Sequence, residues 1–216
     1  MTRVFRALRA LAIAAVPLFA LSACDAVQAN RSVEATRGLQ APSTLPVMRW
    51  DHRPEGKTWT MTALTALEDH GAVLPNIIPG DIEQWCPAYV DATEEQRKAF
   101  WTGLLSALAK HESTWNPAAV GGGGKWFGLV QISPATARSY GCSAGSGSAL
   151  KNGEANLSCA IRIMARTVKR DGVISAGMRG VAADWGPFHS SRKRSDMMQW
   201  TRSQPFCRDA DVKAGL

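Results

Sequence analysis

The chain has 216 residues, a formal net charge of +7 at pH 7, 45% hydrophobic residues and five cysteines. That length and apolar content suit one domain with a substantial core rather than a disordered polyelectrolyte. No Cys-x-x-Cys pair, phosphate loop or dinucleotide fingerprint is present, so zinc-ribbon and nucleotide chemistry have no anchor in it.

Arg3, Arg6 and Arg9 precede an apolar run from Leu11 to Leu21, followed by Ser22, Ala23 and Cys24. A basic start, a short apolar core and small residues before a cut site describe a secretory signal, and the run is too short to cross a bilayer as a mature helix. The Leu-Ser-Ala-Cys segment resembles the bacterial lipoprotein box, which implies cleavage before Cys24 and acylation of its thiol. An ordinary signal peptide with an incidental cysteine is the alternative. The expected organisation is a signal peptide over 1–23, a polar tether over 24–55 and one domain over 56–216. Within the tether only Met48 and Trp50 are sizeable apolar residues able to touch the domain.

Thr58 to His70 reads as a helix, with Met61, Leu64 and Leu67 in one stripe and Gly71 just past its end. Asp81 reads as the cap of a short helix through Trp85, which Pro87 ends. Thr93 followed by Gln96 resembles a capping box and opens the next helix, with Glu94 and Glu95 in its first turn. Ser133-Pro134 marks another start and Gly141 its close. Glu154 to Arg170 carries Leu157, Ile161, Met164 and Val168 on one face, with Gly172 beyond. A short helix over Arg179 to Asp184 and a last one over Ser190 to Arg202 complete a mainly α pattern, with no sustained strand alternation and no repeat.

With Cys24 assigned to lipid, Cys86, Cys142, Cys159 and Cys207 remain, an even number in an exported chain. Three disulfide connectivities are possible. We favour Cys142–Cys159, closing a Gly/Ser loop onto the long helix, and Cys86–Cys207, joining the two ends. The histidines are scattered, so no metal and no cofactor are expected. Charge is uneven: from Lys151 onward twelve Lys/Arg face six Asp/Glu, and Arg192-Lys193-Arg194 form a run. Such a half suits an anionic polymer or membrane surface, or is an ordinary solvated face; nucleic acid is not expected in an exported protein.

The most informative stretch runs from Lys110 to Pro134. Glu112 follows Leu108, Leu104 and Phe100 at four-residue steps, so an acid shares the apolar face of a helix. Desolvation there would raise its pKa and make it a proton donor near neutrality; a helix-end acid paired with Lys or Arg is the plain alternative. His111, about 100° round the helix, reads as a neighbour rather than a ligand. Glu112-Ser113, Trp115, Pro117 and Ala119, then Gly128-Leu129-Val130-Gln131-Ile132, resemble the signature of the soluble-lytic-transglycosylase (SLT), goose-type lysozyme-like family. Gly121 to Gly124 accommodate a Glu-to-Gln spacing one residue longer than its commonest form.

That resemblance implies a lysozyme-like domain of several short helices around a glycan cleft. It also implies non-hydrolytic cleavage of the MurNAc-β-1,4-GlcNAc bond of peptidoglycan, with Glu112 as general acid and then base and a 1,6-anhydromuramyl end as product. Ser113 would support the reacting end or simply end the helix, and Gln131 would bind substrate, position Glu112 or cap nearby backbone. Ala182-Ala183-Asp184-Trp185-Gly186-Pro187 resembles the family's A-Y-N-A-G-P segment without its Tyr, placing Asp184 and Trp185 as candidate glycan contacts. Asn156-Leu157 resembles the start of a further family motif whose later positions differ, so that helix reads as packing. Two other readings stand beside this one. In the first the protein is a lysozyme-type hydrolase with Asp184 as second carboxylate. In the second it is a non-catalytic peptidoglycan-binding or envelope-assembly lipoprotein. In each the expected place is the bacterial cell envelope, facing the periplasm from the inner or outer membrane, with cell-wall machinery as a possible partner.

Overall fold

The computed structural model describes residues 45–208. The expected signal peptide, the acylation at Cys24 and most of the tether lie outside these residues. The chain runs α1 (Gly56–Glu68), α2 (Val73–Asn76), α3 (Ile82–Trp85), α4 (Glu94–Ser113), β1 (Val120–Gly121), β2 (Trp126–Phe127), α5 (Pro134–Ser139), α6 (Gly153–Asp171) and α7 (Ser191–Arg202), with short 3₁₀ turns between them. It is mainly α. None of the described helices is long and apolar enough to cross a membrane.

Helix α4 is the centre. Thr93 and Gln96 form the expected reciprocal cap at its start. Every residue from Ala99 to Ala109 is buried, so the helix is enclosed all round rather than amphipathic as its spacing suggests. Small residues make that enclosure possible. A Cβ on Gly103 would lie 2.9 Å from the Phe206 ring and 3.2 Å from Trp200. Helix α7 packs against α4, and α1 against α6.

The folded unit begins upstream of residue 56. Met48 and Trp50, placed in the tether by the sequence, are buried. Trp50 Nε1 donates to Thr60 Oγ1 at 2.9 Å, and its ring meets Trp59 edge-on at 5.9 Å. The Arg49 amide donates to Ser106 Oγ at 3.1 Å, tying the segment to α4.

Two further differences have local causes. Asp81 does not cap α3; its buried carboxylate accepts from the amides of Ile174, Ser175 and Ala176 at 2.7, 2.8 and 2.9 Å. The loop after α6 thus takes the acceptor that short-range reading gave to its own helix. The glycine run also forms a two-strand hairpin, β1 with β2, which its lack of apolar alternation hides. Both favoured disulfides are present: Cys86–Cys207 with Cα atoms 4.6 Å apart and Cys142–Cys159 with 5.2 Å. In the chain-entropy account they stabilise by about 5 and about 3 kcal/mol respectively.

Candidate active site

Glu112 lies in the last turn of α4, just beyond the fully buried stretch, and is half-buried. Among the described residues its carboxylate has no hydrogen-bond or ion-pair partner. Burial pushes its pKa up to about 7, opposed by one cation, Lys193 on α7. Ionising a carboxyl that has lost water without gaining donors is costly, so the proton stays. The plain alternative of an acid paired at a helix end does not hold. The two basic residues just before Glu112 are committed elsewhere: Lys110 Nζ and His111 Nε2 reach Asp196 at 3.1 and 2.7 Å, and Arg49 grips the same carboxylate through both terminal nitrogens at 2.7 and 2.9 Å. These donors, Arg49 foremost, hold Asp196 well below the usual carboxylate range. Burial draws the His111 imidazole down despite that neighbour.

The chain leaves α4 under strain. Thr114 and Trp115 are consecutive non-glycine residues with φ of 52° and 56°. Left-handed backbone costs roughly 1–2 kcal/mol per such residue. Tertiary contacts hold it. Trp115 Nε1 donates to Ser106 O at 2.9 Å, and its ring meets His52 edge-on at 4.6 Å. Ser113 Oγ donates to Leu129 O at 2.8 Å and accepts from the Asn116 amide at 3.2 Å. Ser113 therefore positions the end of α4 against the loop carrying Gln131, with its hydroxyl hydrogen already committed.

That loop is held from three sides. Gly128, at φ 83°, sits where a Cβ would strike Leu150 O and the Asn156 carboxamide. Asn156, fully buried, accepts from the Val130 amide and donates to Phe127 O and Leu150 O, each at 3.0 Å. Trp185 Nε1 donates to Val130 O at 2.8 Å. Gln131 itself has φ 51°, and its Nε2 donates to Gly128 O at 2.9 Å and Ala119 O at 3.4 Å.

Ser113, Gln131 and Glu112 therefore belong to one connected unit. Trp185 does not face a glycan: it is 3% exposed, and its role is to brace the loop from behind. Asp184 is exposed and accepts from Tyr140 OH at 3.2 Å; among the described residues no carboxylate is one of the charges that act on Glu112. Sequence reasoning missed three residues. In sequence Asn156 reads as packing, whereas its amide organises the Gln131 loop. Lys193 reads as part of a polymer-facing run and Asp196 as an ordinary helix residue; their i,i+3 spacing on α7, which sets both toward α4, is the available signal. The run Gly141-Cys142-Ser143-Ala144-Gly145 has the G-x-S-x-G spelling of a nucleophile elbow. It follows helix α5 rather than a strand, and Cys142 is disulfide-bonded. Among the described residues, no group of three or more His, Cys, Asp or Glu side chains converges for a metal ion.

A transglycosylase SLT domain family matches residues 90–179. Solved structures of DslA agree over the whole of their own length: a Glu→Gln mutant is 30% identical with a TM-score of 0.70, covering 77% of this chain and 100% of that one. A second Glu→Gln mutant gives 30% and 0.69, and a wild-type form 28% and 0.66, with the same coverage. The chain belongs to the transglycosylase SLT family. No curated protein sequence matches it. The matched span holds Glu112, Ser113, Gln131 and Asn156; α7, with Lys193 and Asp196, lies beyond it. This SLT domain is the lysozyme-like, mainly α fold that the motif implied.

Lys193 offsets part of the cost of ionising Glu112. In Lys193→Met the pKa of Glu112 therefore rises further. The variant should lose more stability than wild type as pH climbs from about 6 to about 8.5, because its folded state must ionise the same desolvated carboxyl without the opposing charge of Lys193. Thermal melts across that range read this out. The extra loss should vanish in the Lys193→Met, Glu112→Gln double variant; a loss that persists there would assign Lys193 to some other partner.

Proposed function

We propose that this protein is a peptidoglycan lytic transglycosylase. The observation that carries the reading is Glu112: half-buried, raised to about 7, and, among the described residues, without a second carboxylate acting on it. Such a group arrives protonated near neutral pH and can return to that state after use. Glu112 gives its proton to the oxygen of the MurNAc-β-1,4-GlcNAc bond as the C1–O bond breaks. The muramyl acetamido oxygen supports the electron-poor C1, in the manner of substrate-assisted glycosidases. Glu112, now a carboxylate, takes the proton of the same sugar's C6 hydroxyl as O6 bonds to C1. A 1,6-anhydro end forms, no water is consumed, and the acid is regenerated. The strained turn at Thr114 and Trp115 and the braced Gln131 loop support a pre-set groove for this step.

Digestion of purified sacculi in heavy-oxygen water tests the chemistry. Wild type should release anhydromuramyl ends free of label, and Glu112→Gln, which keeps the shape but not the proton, should lower turnover by roughly 10²–10⁴-fold while still binding glycan. Labelled reducing ends that disappear in Asp184→Asn would favour the two-carboxylate hydrolase. Binding without either product would leave an envelope-assembly role.

The same reading places the mature protein in the bacterial cell envelope, held to a membrane by lipid on Cys24 and facing the periplasm, with the Arg and Lys excess of its C-terminal half toward the anionic wall or membrane. Mass measurement of the mature N-terminus should give a diacyl or triacyl Cys24, lost with membrane partition in Cys24→Ser. An unacylated N-terminus on a membrane-free protein would end the anchoring proposal.

A further inference from the structure

The glycine hairpin next to the site carries a side chain that the reaction above does not use. Its register sets Gly121 opposite Trp126 and Val120 opposite Phe127. With glycine as cross-strand partner, no side chain stands against the indole. The ring lies on backbone instead: a Cβ on Gly122 would run into it, and one on Gly121 would come 4.0 Å from Trp126 Cε3. The turn that permits this needs glycine, since Gly122, Gly123 and Gly124 have φ of 55°, 64° and 91°. Around Gly123 and Gly124 the space is open. One side of the indole thus rests on glycine, and 47% of Trp126 remains exposed.

Beside it is an open acceptor. The same Cβ position on Gly121 would meet Gln131 Oε1. Gln131 spends its amide donors on Gly128 O and Ala119 O, and among the described residues Oε1 accepts from nothing. An aromatic surface and a locked, free carbonyl oxygen are therefore neighbours across a single glycine. That pairing suits a pyranose ring. The C–H face of the sugar covers the indole, and a hydroxyl or acetamido N–H at the ring edge donates to Oε1.

We propose that Trp126 and Gln131 Oε1 form a sugar-binding subsite that takes one N-acetylhexosamine ring of the glycan strand, with Trp126 as the stacking platform that sets affinity for the strand. This subsite rests on the glycan-cleaving reading above. The test uses the full chain carrying Glu112→Gln, titrated calorimetrically with peptidoglycan glycan strands stripped of their peptides by an amidase. Adding Trp126→Ala should weaken binding by about tenfold, whereas Trp126→Phe, which keeps a flat ring, should stay within about threefold of the parent. Trp126→Ala binding as tightly as its parent would overturn the subsite and leave the proposed reaction intact, and so would equal losses in the Ala and Phe variants. A Glu112→Gln parent that binds no stripped strand, alongside wild type that releases no anhydromuramyl end, would overturn both.

Discussion

Ionising Glu112 is the constraint on which the rest of the site depends. The carboxyl sits where a helix buried on all sides first nears solvent, and nothing among the described residues donates to it. A folded-state pKa of about 7, above the ordinary glutamate value, ties function to stability. Below about pH 4.5 the acid is protonated in folded and unfolded chains alike, and no penalty exists. As pH rises through about 7 the folded state must ionise a half-buried group, at a cost of about 3 kcal/mol that the unfolded chain avoids. Asp196 engages Arg49, Lys110 and His111, and none of these three is among the charges acting on Glu112. Among the described residues, Lys193 alone moderates that cost.

Such a site needs a rigid frame, and the frame is mostly hydrogen bonds to backbone. Thr114, Trp115 and Gln131 all hold left-handed conformations that their side chains disfavour. Bonds at these residues or their chain neighbours restrain them: the Trp115 indole to Ser106, Ser113 to Leu129, and Asn156 and Trp185 to Val130. The Cys142–Cys159 disulfide fastens the loop after α5 to α6, the helix that carries Asn156. Strain at the reacting end is thus offset by packing several residues away.

Much of this was legible in the sequence where the cause is local. The Thr93–Gln96 cap, the Ser133-Pro134 start, and Gly172 in left-handed conformation after α6 each follow from one or two side chains acting on neighbouring backbone. Glu112 was legible because four-residue spacing puts it on the face of Leu108 and Leu104. What escaped is tertiary. Spacing showed one apolar stripe on α4, whereas Gly103 and Ser106 also pack inward because Phe206 and Arg49 come close to them. Asp81 had a helix to cap and bonded to a loop 93 residues away instead. Trp185 stood in a motif position that suggested a glycan contact, yet the indole N–H found Val130 O and the ring went inside. A polar atom on a large aromatic side chain does not reveal from sequence whether it will face substrate or backbone.

The central claim is that Glu112 stays protonated near neutral pH because it is desolvated without a neutralising partner. Carbon-detected NMR of the Glu112 side-chain carboxyl, assigned by its loss in Glu112→Gln, measures this directly. The account predicts a titration midpoint near 7. A midpoint below about 5, within the ordinary glutamate range, would contradict it.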